Sequence, residues 1–319
     1  MLAVGHITTP DLAEALLESG DADAICLARQ LFTGPYWAKK AEEDRAKDIR
    51  TCVAAARGHS VTVLEGDSEF GSHVRLQSLL ASRAELGGIA LWLAQQAAKN
   101  GAELRTDSPV LEDGLDALLD AEKPDHVVLA TGSSVCVDGF QGWTAEPFDG
   151  WESGNCIGWD EVAQAPSRAT SVSFPGDVVV IDDMCDVVVP FTAVAMTGAG
   201  ANSVTLLTRW PMVGMETILD VYLDWILPKL YESGVNMLCD RFVRRIEGDK
   251  LHIYNVHHEK DESVPNADWI VMATGRRSET GLLEPLKVRG VSTEAIGDAL
   301  APRSTYEAVY EGLRQARKL

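Results

Sequence analysis

The chain has 319 residues, 46% of them hydrophobic and 24% charged, which is the balance of a globular protein with room for two domains and excludes a disordered chain. A net charge of -20 excludes nucleic acid and anionic membranes as partners, because their phosphates would repel it. No apolar run reaches the roughly 20 residues of a membrane helix, Met1-Leu2-Ala3-Val4-Gly5 has no charged lead or long apolar core of a secretory leader, and the six cysteines (Cys26, Cys52, Cys136, Cys156, Cys185 and Cys239) contain no CxxC pair, so the expectation is a cytoplasmic protein with buried free thiols and no metal site.

In chain order, Met1 to Val4 reads as a short strand and Gly5 to Thr8 as a turn. Thr9-Pro10-Asp11 opens a helix, with Thr9 as N-cap and Pro10 in its first position. Ala24-Ile25-Cys26-Leu27 reads as a fully apolar strand of a parallel sheet covered on both faces. Ala28-Arg29 follows at its end, and a helix is predicted from about Tyr36 to Lys47. Next come a helix tail closed by Gly58 and a buried strand, Ser60 to Glu65. A helix tail, a glycine, a strand and a terminal acid form the second half of a dinucleotide-binding βαβ unit. The glycine-rich turn of the first half belongs about thirty residues before Glu65. There the chain reads Glu42 to Thr51, with no glycine.

Ala84 to Asn100 reads as an amphipathic helix, and Asp125 to Ala130 as a buried strand closing with Thr131-Gly132. Asp177 to Ile181 and Ser203 to Thr208 are further strands around a helix, and the turn between them, Asp182-Asp183-Met184-Cys185-Asp186, again lacks GxGxxG. Leu219 to Ser233 is predicted helical, and Arg244 to Val256 a hairpin. Trp269 to Ala273 is a strand closing with Thr274-Gly275. Ala295-Ile296-Gly297-Asp298 and a helix from Thr305 to Lys318 end the pattern.

The candidate site residues bind a cofactor; no nucleophile–base set, CxxxxC, GxSxG or HExxH presents itself, so no catalytic residue is assigned. Glu65 is placed either to accept ribose hydroxyls or simply to close a strand, and Gly71 lies in the turn that follows. Ala130-Thr131-Gly132 and the matching Ala273-Thr274-Gly275 sit where a strand turns tightly beside a ligand. Gly297-Asp298 can put a carboxylate near a flavin ribityl chain and aim a helix start at a phosphate. Gly5, Ala28 and Arg29, at the ends of two consecutive parallel strands, have the placement of a barrel phosphate site, or of a strand-end salt bridge. His257-His258 reads as solvent-exposed.

These pieces occur in the order found in the trimethylamine/dimethylamine dehydrogenase group of flavoenzymes, relatives of 2,4-dienoyl-CoA reductase and the NADH:flavin oxidoreductases. The chain resembles them most clearly at Ala28-Arg29-Gln30-Leu31, Ile49-Arg50-Thr51-Cys52, Thr208-Arg209-Trp210-Pro211, Leu251 to Val256, Ala273 to Glu279 and Ile296 to Arg303. The resemblance implies an α/β fold of two nested Rossmann-like nucleotide-binding domains of the disulfide-reductase type, behind a remnant of a (β/α)8 barrel. Its implied boundaries are 1–52 for the last two βα units of an FMN barrel, 53–175 with 270–319 for an FAD- or ADP-binding domain, and 176–269 for an inserted NAD(P)-binding domain. In such enzymes FMN in the barrel oxidises the substrate, a small methylated amine, and electrons pass to a [4Fe-4S] cluster. This chain departs from the pattern between Cys52 and Val53, where the cysteine cluster and a glycine-rich strand–turn are missing. Cys52 matches only the first cluster cysteine, and one thiolate does not hold a four-iron cluster. The expectation is therefore FAD or ADP as cofactor, with FMN and the cluster not held by this chain, and a partial flavin-dependent oxidoreductase not competent alone. A non-catalytic nucleotide-binding or interaction module and a fragment of a NAD(P)H:flavin oxidoreductase remain the alternatives. As partners, a homo-oligomer and a barrel-containing second chain both remain open.

Overall fold

Val178-Val179-Val180-Ile181 is β-branched throughout, the composition of a strand buried on both faces. The computed structural model, which describes residues 1–4, 10–26, 37–43, 53–80, 82–153, 155–165, 173–218, 222–265 and 267–319, places this run in the strand Gly176–Asp182 at the centre of a five-stranded sheet. From edge to edge the order is Asn236–Leu238, Ala201–Thr208, Gly176–Asp182, Trp269–Ala273 and Cys156–Gly158, all parallel. The period-2 alternation of the central strand divides its side chains between two cores. Val178 and Val180 face Val188, Phe191, Ala193 and Met196, which belong to the helix Val188–Gly198. Val179 and Ile181 join Phe242, Val243, Leu251 and Ile253. These come from an antiparallel sheet of Arg241–Glu247, Lys250–Asn255 and Asp261–Pro265. Each buried aliphatic side chain contributes about 1.5–3 kcal/mol of burial free energy, so this double-faced core is the main source of stability. The sequence boundary at 269/270 falls inside the strand Trp269–Ala273, which lies wholly within the five-stranded sheet.

The chain divides into two compact units, one formed by Met1–Leu64, Trp92–Arg105 and Ala316–Leu319, the other by Glu65–Leu91 and Thr106–Gln315. Besides the large sheet, the second unit holds Val127–Leu129 paired in parallel with Thr293–Ala295 over a core of Leu115, Leu129 and Leu286. It also holds Ser133–Val135 paired antiparallel with Arg276–Ser278.

The first unit begins with Leu2–Val4 parallel to Ala24–Cys26 and the helix Pro10–Glu18 between them. Its core is Ala13 with Ala3, Leu16, Ile25 and Ala41. The expected cover on both faces of Ala24–Cys26 is not there: Ala24 and Cys26 are exposed, because among the described residues the strand has one neighbour and one packed side. The strand predicted from Ser60 to Glu65 forms as Thr62–Leu64, paired among the described residues only with Glu103–Arg105, and Thr62 and Val63 are exposed rather than buried. The amphipathic segment from Ala84 forms a 3-10 turn and the helix Gly87–Lys99, which crosses the boundary between the units; no residue of this helix is buried and Leu91 is 63% exposed. Among the described residues no helix is long and apolar enough to cross a membrane.

Candidate functional site

The repeated Ala-Thr-Gly turns lead into two strands that pair with one another. Ala130-Thr131-Gly132 leads into Ser133–Val135, and Ala273-Thr274-Gly275 leads into Arg276–Ser278; these segments pair with Arg276 opposite Val135 and Ser278 opposite Ser133. Gly132 has a φ of +79°, which the tight turn requires and a side chain would resist. The Thr131 hydroxyl donates to the Glu279 carbonyl, and the Glu279 amide returns a bond to Gly132 at 3.0 Å.

Asp298 is the hub of this bridge. Its carboxylate accepts from Arg276, from the Ser133 hydroxyl at 3.1 Å and from the Arg303 amide at 3.0 Å, and its carbonyl accepts from the Ser278 hydroxyl at 2.8 Å. Arg276 also donates to the Arg303 carbonyl at 2.7 Å. Gly297, at φ +58°, gives its amide to the buried Glu311 carboxylate at 2.7 Å, and Glu311 holds Arg303 at 2.6 Å. The helix start expected to aim at a phosphate thus has its first amide taken by a carboxylate.

Beside this hub lies a cavity of about 330 Å³ lined by Asp67, His73, Thr131, Ser133, Asp160 and Glu161, among others. Among the described residues no lysine or arginine lines it. His73 sits on the helix Ser72–Leu79, its ring 5.6 Å from that of Trp159 and its Nδ1 3.7 Å from the Asp298 carboxylate. Burial, with Arg276 nearby, pushes the imidazole below its usual pKa against the pull of Asp298. Glu65 is half-buried two residues from the lining residue Asp67 and accepts its amide at 3.2 Å, so the acid closes its own turn. Gly71, at φ +115°, opens the helix, and a Cβ there would run into that of Ala90. Its requirement comes from packing.

Thr274 and Gly275 lie elsewhere, over the end of the five-stranded sheet. The amides of Asp183 and Met184 both reach the Ala273 carbonyl, at 3.0 and 3.3 Å. Thr274 is buried, and a Cβ on Gly275 would touch the Phe140 ring at 3.5 Å. The structure therefore brings Thr131 and Gly132 to the cavity, with Asp298 behind the lining residues Ser133 and His73, and places Thr274 and Gly275 at a second location. Gly5, Ala28, Arg29 and Cys52 lie outside the described residues. His73, Arg276, Arg303 and Glu311 were missed by the sequence reading. Only Arg276 and Arg303 carried a signal, as parts of the Ala273–Glu279 and Ile296–Arg303 segments.

No protein-family model matches the chain. It is 23% identical to an NADH oxidase of Thermoanaerobacter brockii over 383 residues, covering 99% of this chain and 55% of that protein. It is 26% identical to an N,N-dimethylglycine/sarcosine dehydrogenase of Chromohalobacter salexigens, covering 82% of this chain and 41% of the relative. The histamine dehydrogenase structure from Rhizobium sp. 4-9 superposes with a TM-score of 0.87 at 24% identity, covering 100% of this chain and 58% of the other.

The chain is a relative of the trimethylamine dehydrogenase-like flavoenzymes.

It spans about half the length of the relatives it matches. The stretch aligned with the NADH oxidase, 383 residues, is longer than the 319 of this chain, so that flavoenzyme relative carries internal residues this one does not. The fold is the mixed α/β fold of the group. The relatives it matches carry the names of an oxidase and of dehydrogenases. For a flavin or adenine nucleotide the cavity is a partial fit. Its hydroxyls and carboxylates suit the hydroxyl groups of a ribose or ribityl chain, while its lining offers a pyrophosphate no cation.

Proposed function

We propose that this chain is the nucleotide-carrying part of a trimethylamine dehydrogenase-like flavoenzyme. In this reading it holds FAD or ADP in the cavity between His73, Thr131 and Ser133. The observation that carries the reading is that Thr131, Gly132 and Ser133 line one cavity rich in hydroxyls and carboxylates, with Ser133 held by Asp298. Ser133, Asp67 and Glu161 orient ligand hydroxyls, and the Arg276–Asp298 pair holds the floor of the site rigid. A flavin bound there supplies reversible acceptance of an electron pair. The substrate class is a small N-methylated amine, the class in the name of the Chromohalobacter relative. Two βα units do not close an eight-stranded barrel. The groups that touch the amine would therefore come from further residues of a longer protein or from a partner chain, and this chain does not turn over the amine by itself. In that setting the protein works in the cytoplasm.

A second reading, an ADP-binding module without redox activity, is favoured by one observation. The Gly297 amide and the Asp298 carboxylate, which would face a flavin, are already taken by Glu311, Arg276 and Arg303. The visible absorption spectrum of the purified chain, with the nucleotides released on denaturation, separates the two. A flavin spectrum supports the first, ADP without flavin the second, and neither ligand overturns both.

A further inference from the structure

The second Rossmann-like crevice, at the carboxyl end of the five-stranded sheet, is built differently from the cavity above. In a dinucleotide-binding unit the turn after the first strand presents free backbone amides to a pyrophosphate, and the next helix adds its positive end. Here that turn is Asp182 to Val188, and four of its amides are already used. Cys185 donates to Asp182 Oδ1 at 2.7 Å, Val188 to Asp186 Oδ1 at 2.9 Å, and Asp183 and Met184 to the Ala273 carbonyl. Three carboxylates, on Asp182, Asp183 and Asp186, stand where a ligand would bring negative charge.

A hairpin also reaches the turn. A small hairpin, Phe140–Gln141 with Glu146–Pro147, carries Gly142 and Trp143 over the turn. The Trp143 amide donates to Asp183 Oδ2 at 3.1 Å, and a Cβ on Gly142 would lie 2.8 Å from that oxygen. Arg209 ends the second strand, where an arginine can receive the 2′-phosphate of NADP. Its guanidinium is instead paired with Asp183, whose side chain is 2% exposed. It lies 3.9 Å from the Trp210 ring centroid and 5.0 Å from that of Trp143.

We infer that this unit does not accept NAD(H) or NADP(H), because four amides of its phosphate-binding turn are satisfied internally and Asp183, which a dinucleotide would meet there, is tied to Arg209 and to the Trp143 amide of the hairpin. The inference is independent of the flavin reading, since it concerns another ligand at another site. It separates this chain from relatives that take electrons from a nicotinamide: electrons entering or leaving here do so without a dinucleotide at this sheet.

The test is a titration of the purified full chain with NADH and with NADPH, following tryptophan emission, which Trp143 and Trp210 make sensitive to the crevice. No saturable change up to about 1 mM is expected. A saturable change in the micromolar range that Arg209→Leu weakens at least tenfold would overturn the inference. Binding that survives Arg209→Leu and is competed by ADP belongs to the His73 cavity and leaves the inference standing.

Discussion

Asp182 shows how burial dominates the behaviour of one carboxyl. It is fully buried at the end of the central strand, and burial, with Asp186 and Asp183 adding to it, pushes its pKa up to about 7 against the Cys185 amide. Unfolded, the group titrates near its ordinary value of about 3.9. The folded state thus prefers the protonated form, and the associated stability is present below about pH 4 and lost as pH rises towards about 7. The loss is on the order of 4 kcal/mol. Asp182→Asn should remove this slope, so that urea midpoints at pH 5, 6.5 and 8 agree for the variant and fall for the parent. A parent midpoint that stays level would show that the carboxyl ionises without cost. Gly71 gives a second case. With φ at +115° and Ala90 in the path of a Cβ, Gly71→Ala should cost about 2 kcal/mol or more, read as a lower thermal midpoint. An unchanged midpoint would mean that the turn relaxes freely.

Among the elements, the C-terminal helix and the Gly297-Asp298 turn are fastened by one residue. Glu311 is 6% exposed, accepts from both Gly297 and Arg303, and has its carboxyl held low by those bonds although burial works the other way. Glu311→Ala leaves the Gly297 amide buried and unpaired and should cost about 2 kcal/mol. If the variant binds the cavity ligand unchanged, the turn does not help to shape that site. The elements themselves were largely readable in advance. Val178 to Ile181, Trp269 to Ala273 and the helix beginning at Pro10 carry their period and caps within a few residues. What could not be read was which strands lacked neighbours. Thr62–Leu64 and Ala24–Cys26 have the composition of covered strands, yet they are exposed, because cover comes from partners distant in sequence. The site divided in the same way. The Ala-Thr-Gly repeats and Gly297-Asp298 were visible as local turns. The role of His73 depends on Trp159 and Asp298, and the fastening of Arg209 on Asp183 and Trp143; none of these partners is near in sequence.

At the scale of the molecule, stability is unevenly distributed. The second unit holds the two large cores, while the N-terminal strands and helix rest on Ala13 and four partly buried neighbours. Amides of Leu2–Val4 and Ala24–Cys26 should exchange with solvent at least a hundredfold faster than those of Val178–Ile181, and limited proteolysis should cut within residues 1–50 first. Protection of the N-terminal segment would point to a covering partner. A net charge of -20 adds self-repulsion, so moderate salt should raise the thermal midpoint.

The strand order also carries a schedule for synthesis. Trp269–Ala273 lies between Gly176–Asp182 and Cys156–Gly158 and hydrogen-bonds to both. A ribosome adding about 5–20 residues per second makes that middle strand many seconds after its neighbours. Until it arrives, one edge of the buried strand Gly176–Asp182 stays open, and sheet closure waits on a long-range contact. A newborn chain of this protein therefore passes through an interval in which its future core is its most aggregation-prone surface.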